Sequence, residues 1–167
     1  MSKVTLRALE PEDLDMLYKI ENDKSVWEVG ATNVPYSKYL LHDYIANSTC
    51  DIYADKQVRL MILDEKGDGI GIVDVVNFNP RHLRAEIGIV IMKPYRRRGY
   101  AHAALTQVMG YCKKTLNIHQ LYAVVDQRNT DSVSLLEKCG FHISSELQDW
   151  LFEEGSAYSA WLLQSFL

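Results

Sequence analysis

Arg96-Arg97-Arg98-Gly99-Tyr100-Ala101 joins two segments of different character, and that junction decides the fold. Before it, Ala85-Glu86-Ile87-Gly88-Ile89-Val90-Ile91-Met92 is an apolar run around a single glutamate, which reads as a strand. After it, Ala101-His102-Ala103-Ala104-Leu105 begins a run of good helix formers and predicts a helix from about Gly99 to Lys114. Gly99 lets the backbone approach a ligand closely, small Ala101 keeps the turn open, and the first N–H groups of a helix lack intrahelical acceptors. Such groups bind anions. The helix dipole and charge-assisted bonds, worth roughly 1.5–3 kcal/mol each, favour a pyrophosphate there over a neutral group. A basic turn on a solvated face is the alternative that these residues alone leave open.

Outward from the junction, strands and helices alternate. Val4–Ala8 reads as a first strand, and Pro11 opens a helix with Leu14, Leu17, Tyr18 and Glu21 at helical spacing. A second helix follows Ser37, with Leu40, Leu41, Tyr44 and Ile45 on one face. Val58–Leu63 and Ile70–Phe78 are strands joined by Lys66-Gly67-Asp68-Gly69, and Asn79-Pro80-Arg81-His82 turns the chain back into the Glu86 strand. Leu121–Asp126 is a strand, Asn129 caps a helix ending at Gly140, and Phe141–Trp150 and Ala157–Phe166 are further strands. No repeat, low-complexity stretch or linker interrupts the pattern, so residues 1–167 are expected to form one mixed α/β domain.

With 47% hydrophobic and 24% charged residues, the chain has the composition of an ordinary globular protein able to bury a core. Its apolar runs stop well short of the ~18 residues a membrane span needs. The N-terminal residues Arg7, Glu10, Glu12 and Asp13 resemble no signal peptide, so a cytoplasmic protein without a membrane partner is expected. Cys50, Cys112 and Cys139 have no paired spacing and no histidine at metal-ligand intervals, which predicts reduced thiols and no metal. A net charge of −4 argues against nucleic-acid binding, so the three arginines are expected to face one ligand. The acidic balance is compatible with a cationic amine substrate and equally with a solvated acidic surface.

The pattern Arg-x-x-Gly-x-Ala at Arg96–Ala101 resembles the acetyl-coenzyme-A signature of the GNAT N-acetyltransferase superfamily. Further on, Asn129-Thr130-Asp131-Ser132 and Lys138-Cys139-Gly140-Phe141 resemble that family's second signature, and the two together are specific. The resemblance implies a GNAT acyl-coenzyme-A N-acyltransferase fold, a mixed, mostly antiparallel central sheet flanked by helices. Its fourth and fifth strands would splay into a V that admits acetyl-coenzyme A (acetyl-CoA). By the same resemblance Ile89 and Ile91 offer backbone groups to the pantetheine arm, and Arg96, Arg97, Arg98, Gly99, Tyr100 and Ala101 wrap the pyrophosphate. Asn129 and Ser132 complete the second signature, with Asn129 meeting the pantetheine from the far side; Asn129 reads equally as a helix cap, and one Asn can do both. Many relatives dimerise, so a homodimer is compatible with the resemblance, although this chain's own residues neither add nor remove support.

The implied chemistry is direct attack of an amine on a thioester. A lysine-like amine has a pKa of about 10.4, so at pH 7 roughly 4.6 kcal/mol separates it from its nucleophilic form; for an α-amine the cost is about 1 kcal/mol. Glu86 is the candidate base, the only charge inside its apolar strand and a match to a glutamate many relatives use through a water. A solvent-facing residue at a strand rim is the other reading. Asp74, inside Ile70–Phe78, is the next choice after Glu86 and the candidate to help it hold a cationic substrate. At Leu136 many relatives carry a tyrosine that protonates the departing thiolate, and leucine has no proton to give. Tyr158, Tyr122 and Ser134 are the candidate substitutes, unless the thiolate leaves without an acid near positive helix ends.

Leu6–Leu14 and Arg84–Gly88 resemble the spermidine and ribosomal-protein N-acetyltransferase branches of the superfamily, and Asn117–Tyr122 with Val125-Asp126 extends the polyamine likeness. Asn33-Val34 stands where polyamine enzymes carry an acidic pair, which speaks against a regulatory polyamine site. The expected activity is acetyl transfer to a primary amine, either a polyamine such as spermidine or the N-terminus of a protein. A silent acyl-CoA-binding module is the reading of a different class, motivated by Leu136, and amine-dependent thiol release separates the two.

Overall fold

Hydrophobic alternation in the first half of the chain builds a sheet whose two faces are covered by different helices. The computed structural model describes residues 3–27 and 34–167, so the Asn33 position lies outside it. The elements run β1 (Thr5–Ala8), α1 (Leu14–Glu21), α2 (Lys24–Trp27), α3 (Lys38–Ala46), α4 (Ile52–Asp55), β2 (Val58–Leu63), β3 (Gly69–Asn79) and β4 (Arg84–Ile91). They continue with α5 (Tyr100–Lys114), β5 (Gln120–Asp126), α6 (Thr130–Lys138), β6 (His142–Glu153) and β7 (Ser156–Phe166). The strands form one sheet in the order β1-β2-β3-β4-β5-β7-β6, antiparallel except between β4 and β5, which α5 connects as a parallel crossover.

One face of the sheet, with Val73, Val75, Ala85, Ile87, Leu121 and Ala123, packs on Ala104, Leu105 and Val108 of α5 and Leu136 of α6. On the other, Met61 and Ile72 pack on Leu17 and Ile20 of α1 and Leu41 of α3. Local chemistry fixes the helix starts. Ser37 accepts a hydrogen bond from the Leu40 amide at 3.0 Å, and Asp13, entered from the turn at Pro11, is gripped by both Arg7 nitrogens at 2.6 and 2.8 Å.

The expected elements are present with small shifts at their ends. Two differences matter. The expected apolar face of α3 is narrower than its sequence suggests: Leu41 is 4% exposed but Leu40 is 49% exposed. The β6–β7 hairpin is longer than expected, because Glu154 and Gly155, both at positive φ (48° and 82°), close it as a tight two-residue turn.

The site-forming feature is the end of the β4–β5 ladder. Pairing covers only Arg84, Ala85 and Glu86 against Gln120, Leu121 and Tyr122. Beyond Glu86 the strands part, β5 stays with β7 as far as Asp126 opposite Ala160, and among the described residues Ile87–Ile91 have no strand on that side. This is the V expected between the fourth and fifth strands.

Candidate active site

The opening of the V leads into a cavity of about 660 Å³ between β4, the turn before α5, and α6. Ile89 and Ile91 form its β4 wall, Arg96, Arg97, Gly99, Tyr100 and Ala101 its basic end, and Asn129 and Ser132 its α6 wall. Nine of the residues expected to meet the cofactor are thus brought together. Arg98 is not among the lining residues. Gly99 takes φ 81° at the cap of α5 and contributes no side-chain acceptor, so the first helical N–H groups are left for a ligand. Asn129 proves to be a cap, its Oδ1 accepting from the Ser132 amide at 3.2 Å, while its side-chain amide N–H groups remain available to the cavity.

Three contacts qualify the expected roles. Arg96 Nε donates to the Ile91 carbonyl at 2.8 Å, so that acceptor is already engaged within the chain. Arg97, at φ 62°, reaches across the cavity mouth to Asp131 at 3.3 Å. The Tyr100 hydroxyl donates to Glu65 at 3.0 Å, which ties the loop to the β2–β3 turn. Ser25, Val26, Tyr95, His102, Asp131, Leu135 and Lys138 also line the cavity. Lys138 belongs to a quoted motif, whereas Ser25 and Val26 reach the cavity through tertiary placement that no local pattern announces.

The second group lies on the sheet face opposite α5. Glu86 is half-buried, and Asn77 donates to its Oε2 at 2.8 Å. Asn77 sits at φ 51° in a β3 bulge between Val76 and Asn79; its signal in the sequence was a polar residue interrupting an apolar strand. Gly88, next on this face, is exposed, and an added Cβ would meet only the Asp74 Cβ, at 4.0 Å. The sheet therefore has a shallow open floor beside Glu86.

Asp74 borders that floor but is already bound. Arg59 donates to both its oxygens at 2.6 and 3.0 Å and also holds Glu21, with the Tyr44 ring 5.6 Å away. Burial works against the Arg59 charge, yet Asp74 and Glu21 outweigh it and hold the guanidinium well above its ordinary pKa. Arg59, a lone charge in the apolar β2, was the unread signal that Asp74 has a partner.

Tyr158 is not brought to Glu86. The Arg128 guanidinium stacks 3.6 Å over its ring and binds Asp126 at 2.6 Å and Glu153 at 2.8 Å. Leu136 is 5% exposed in the core, and Ser134 lines the cavity. Burial pushes the Cys112 thiol up to about 12 and raises Cys139, which leaves both as packing residues rather than nucleophiles. Among the described residues no group of His, Cys, Asp and Glu is placed to hold a metal ion.

Residues 3–142 match the family model of the acetyltransferase (GNAT) domain. The chain belongs to the GNAT acetyltransferase family. Over 161 residues this acetyltransferase is 30% identical to spermidine N(1)-acetyltransferase of Escherichia coli K12, a match covering 94% of this chain and 82% of that protein. It superposes with a TM-score of 0.86 at 26% identity on a spermidine N-acetyltransferase of Vibrio cholerae solved in complex with CoA and spermine, covering 98% of this chain and 95% of that one. A putative ribosomal N-acetyltransferase of Bacillus subtilis is 26% identical over 156 residues, covering 91% of this chain and 85% of that protein. The acetyltransferase has the GNAT fold, and no helix among the described residues is long and apolar enough to cross a membrane.

Proposed function

We propose that this enzyme transfers the acetyl group of acetyl-CoA to a primary amine, a small polyamine such as spermidine, by direct attack in a ternary complex. The observation that carries the reading is the Gly99 turn, whose bare helix start and arginines open into the cavity beside the parted β4 edge. The donor then lies along Ile89 and Ile91 with its thioester near the apex of the V, and the amine arrives over the Gly88 floor.

Glu86 takes the amine proton through a water, oriented by Asn77, and so offsets the roughly 4.6 kcal/mol needed to present a lysine-like amine as a nucleophile at pH 7. Asp74, shared with Arg59, supplies negative potential at the edge of that floor. The polyamine assignment draws support from the spermidine acetyltransferases among the relatives. A cytoplasmic setting belongs to the same proposal and fits three unpaired cysteines.

The test is a competition for acetyl-CoA between spermidine and an N-terminal peptide of ribosomal-protein type, followed by mass spectrometry. Acetylated spermidine as the main product is expected. Preferential peptide acetylation would replace the polyamine reading with the N-terminal one, which the lower cost of an α-amine, about 1 kcal/mol, makes the next in line.

A further inference from the structure

The parallel ladder between β4 and β5 ends on the pair Glu86 and Tyr122, so these side chains are neighbours at the apex of the V. Both lie on the face opposite the α5 core, because the alternate residues Ala85, Ile87, Leu121 and Ala123 are buried in that core. Asn77 donates to Glu86 from the adjoining bulge at 2.8 Å. The open floor at Gly88 starts one position further along the same face.

The other candidates for a proton donor lack this placement. Leu136 has no proton. Tyr158 lies six residues along β7 from Gln164, the residue opposite Tyr122, a distance of about 20 Å of strand, and is covered by Arg128. We propose that Tyr122 supplies the proton taken up by the departing thiolate, so that the acid found on α6 in many relatives has moved to β5. The inference rests on the reading of Glu86 as base.

The proton count closes. Once the ammonium proton has left through Glu86 and its water to solvent, attack by the neutral amine forms the C–N bond, and the carboxylate of Glu86 accepts the second proton the nitrogen sheds. The C–S bond then breaks with its electron pair on sulfur, which takes the Tyr122 hydroxyl proton. Glu86 returns its proton to the phenolate, leaving amide, thiol and an unchanged enzyme. The order of events suits the acid: burial and the Glu86 carboxylate raise the Tyr122 pKa, with Arg84 pulling the other way, and the Glu86 contribution disappears once Glu86 is protonated. Tyr122 thus becomes the stronger acid at the step that uses it.

Tyr122→Phe keeps the ring and removes only the hydroxyl. With acetyl-CoA and spermidine, kcat should fall by roughly 10²–10⁴ while both KM values and the melting temperature stay close to the parent's. Adding Leu136→Tyr to that variant should restore at least tenfold of the loss, which a purely packing role for Tyr122 would not allow. Tyr122→3-fluorotyrosine, which keeps the hydroxyl and makes it more acidic, gives a second readout if the double variant does not fold; kcat should change. Tyr122→Phe within threefold of the parent would overturn the inference, as would a loss confined to KM, a loss not rescued in a folded double variant, or an unchanged fluorotyrosine enzyme. Failure of the underlying reading looks different, since Glu86→Gln would then retain full activity whatever happens at Tyr122.

Discussion

Gly99 holds φ 81°, a conformation in which a β-branched residue is strained, in the turn to which the proposed function assigns the donor's phosphates. Gly99→Val should weaken acetyl-CoA binding at least tenfold, about 1.4 kcal/mol, in a protein that stays folded although the strained turn lowers its melting temperature. Calorimetric titration checks this, and unchanged affinity would remove the loop from the site. Glu86→Gln preserves shape and the bond from Asn77 but removes basicity, so kcat should drop by roughly 10²–10⁴ with donor affinity nearly unchanged. Activity within threefold of the parent at pH 7 would end the assignment. Single residues were legible in the sequence where a local rule constrains them, as at Gly99, Asn129 and Glu86. Asn77 was not, because its importance comes from a bulge that turns its amide toward β4, and neither was the capture of Asp74 by Arg59, a pairing between strands.

The β6–β7 hairpin depends on charge as well as on pairing, for Asp126 at the end of β5 is joined through Arg128 to Glu153 at the hairpin's far end. The Arg128 hydrogen bonds hold the Asp126 carboxyl below the usual carboxylate range, against the desolvation that would raise it. A carboxyl lowered in the folded state adds stability that is complete above its unfolded pKa of about 3.9 and is lost as pH falls through the folded value. Asp126→Asn should therefore lower Tm clearly at pH 7 and much less at pH 3. Equal losses at the two values would mean that the pair contributes no pH-dependent stability. The strands and long helices were readable because apolar periods of two and of about 3.6 persist over many residues. The single turns α2 and α4 are too short to show a period, and the narrow buried stripe of α3 was set by how that helix rolls on α1.

At the scale of the whole molecule, the sheet separates two tasks. Under the proposed function, the cavity between β4, α5 and α6 takes the anionic thioester carrier and the open floor beside Glu86, on the opposite face, takes the amine. The two meet where the β4–β5 ladder ends, so the chemistry is expected at the apex of the V. That geometry follows from one parallel crossover within an otherwise antiparallel sheet, which the strand–turn–helix junction at Arg96–Ala101 announced. How early the ladder ends, three residue pairs in, is a property of the assembled sheet and has no local signal. The most direct measurement is the release of coenzyme A thiol from acetyl-CoA by the purified protein, with and without spermidine. Thiol release should rise with spermidine and saturate, with one acetyl group gained by the amine for each thiol formed. Tight acetyl-CoA binding with thiol release no faster in the presence of spermidine or any other amine than in buffer would contradict the proposed function.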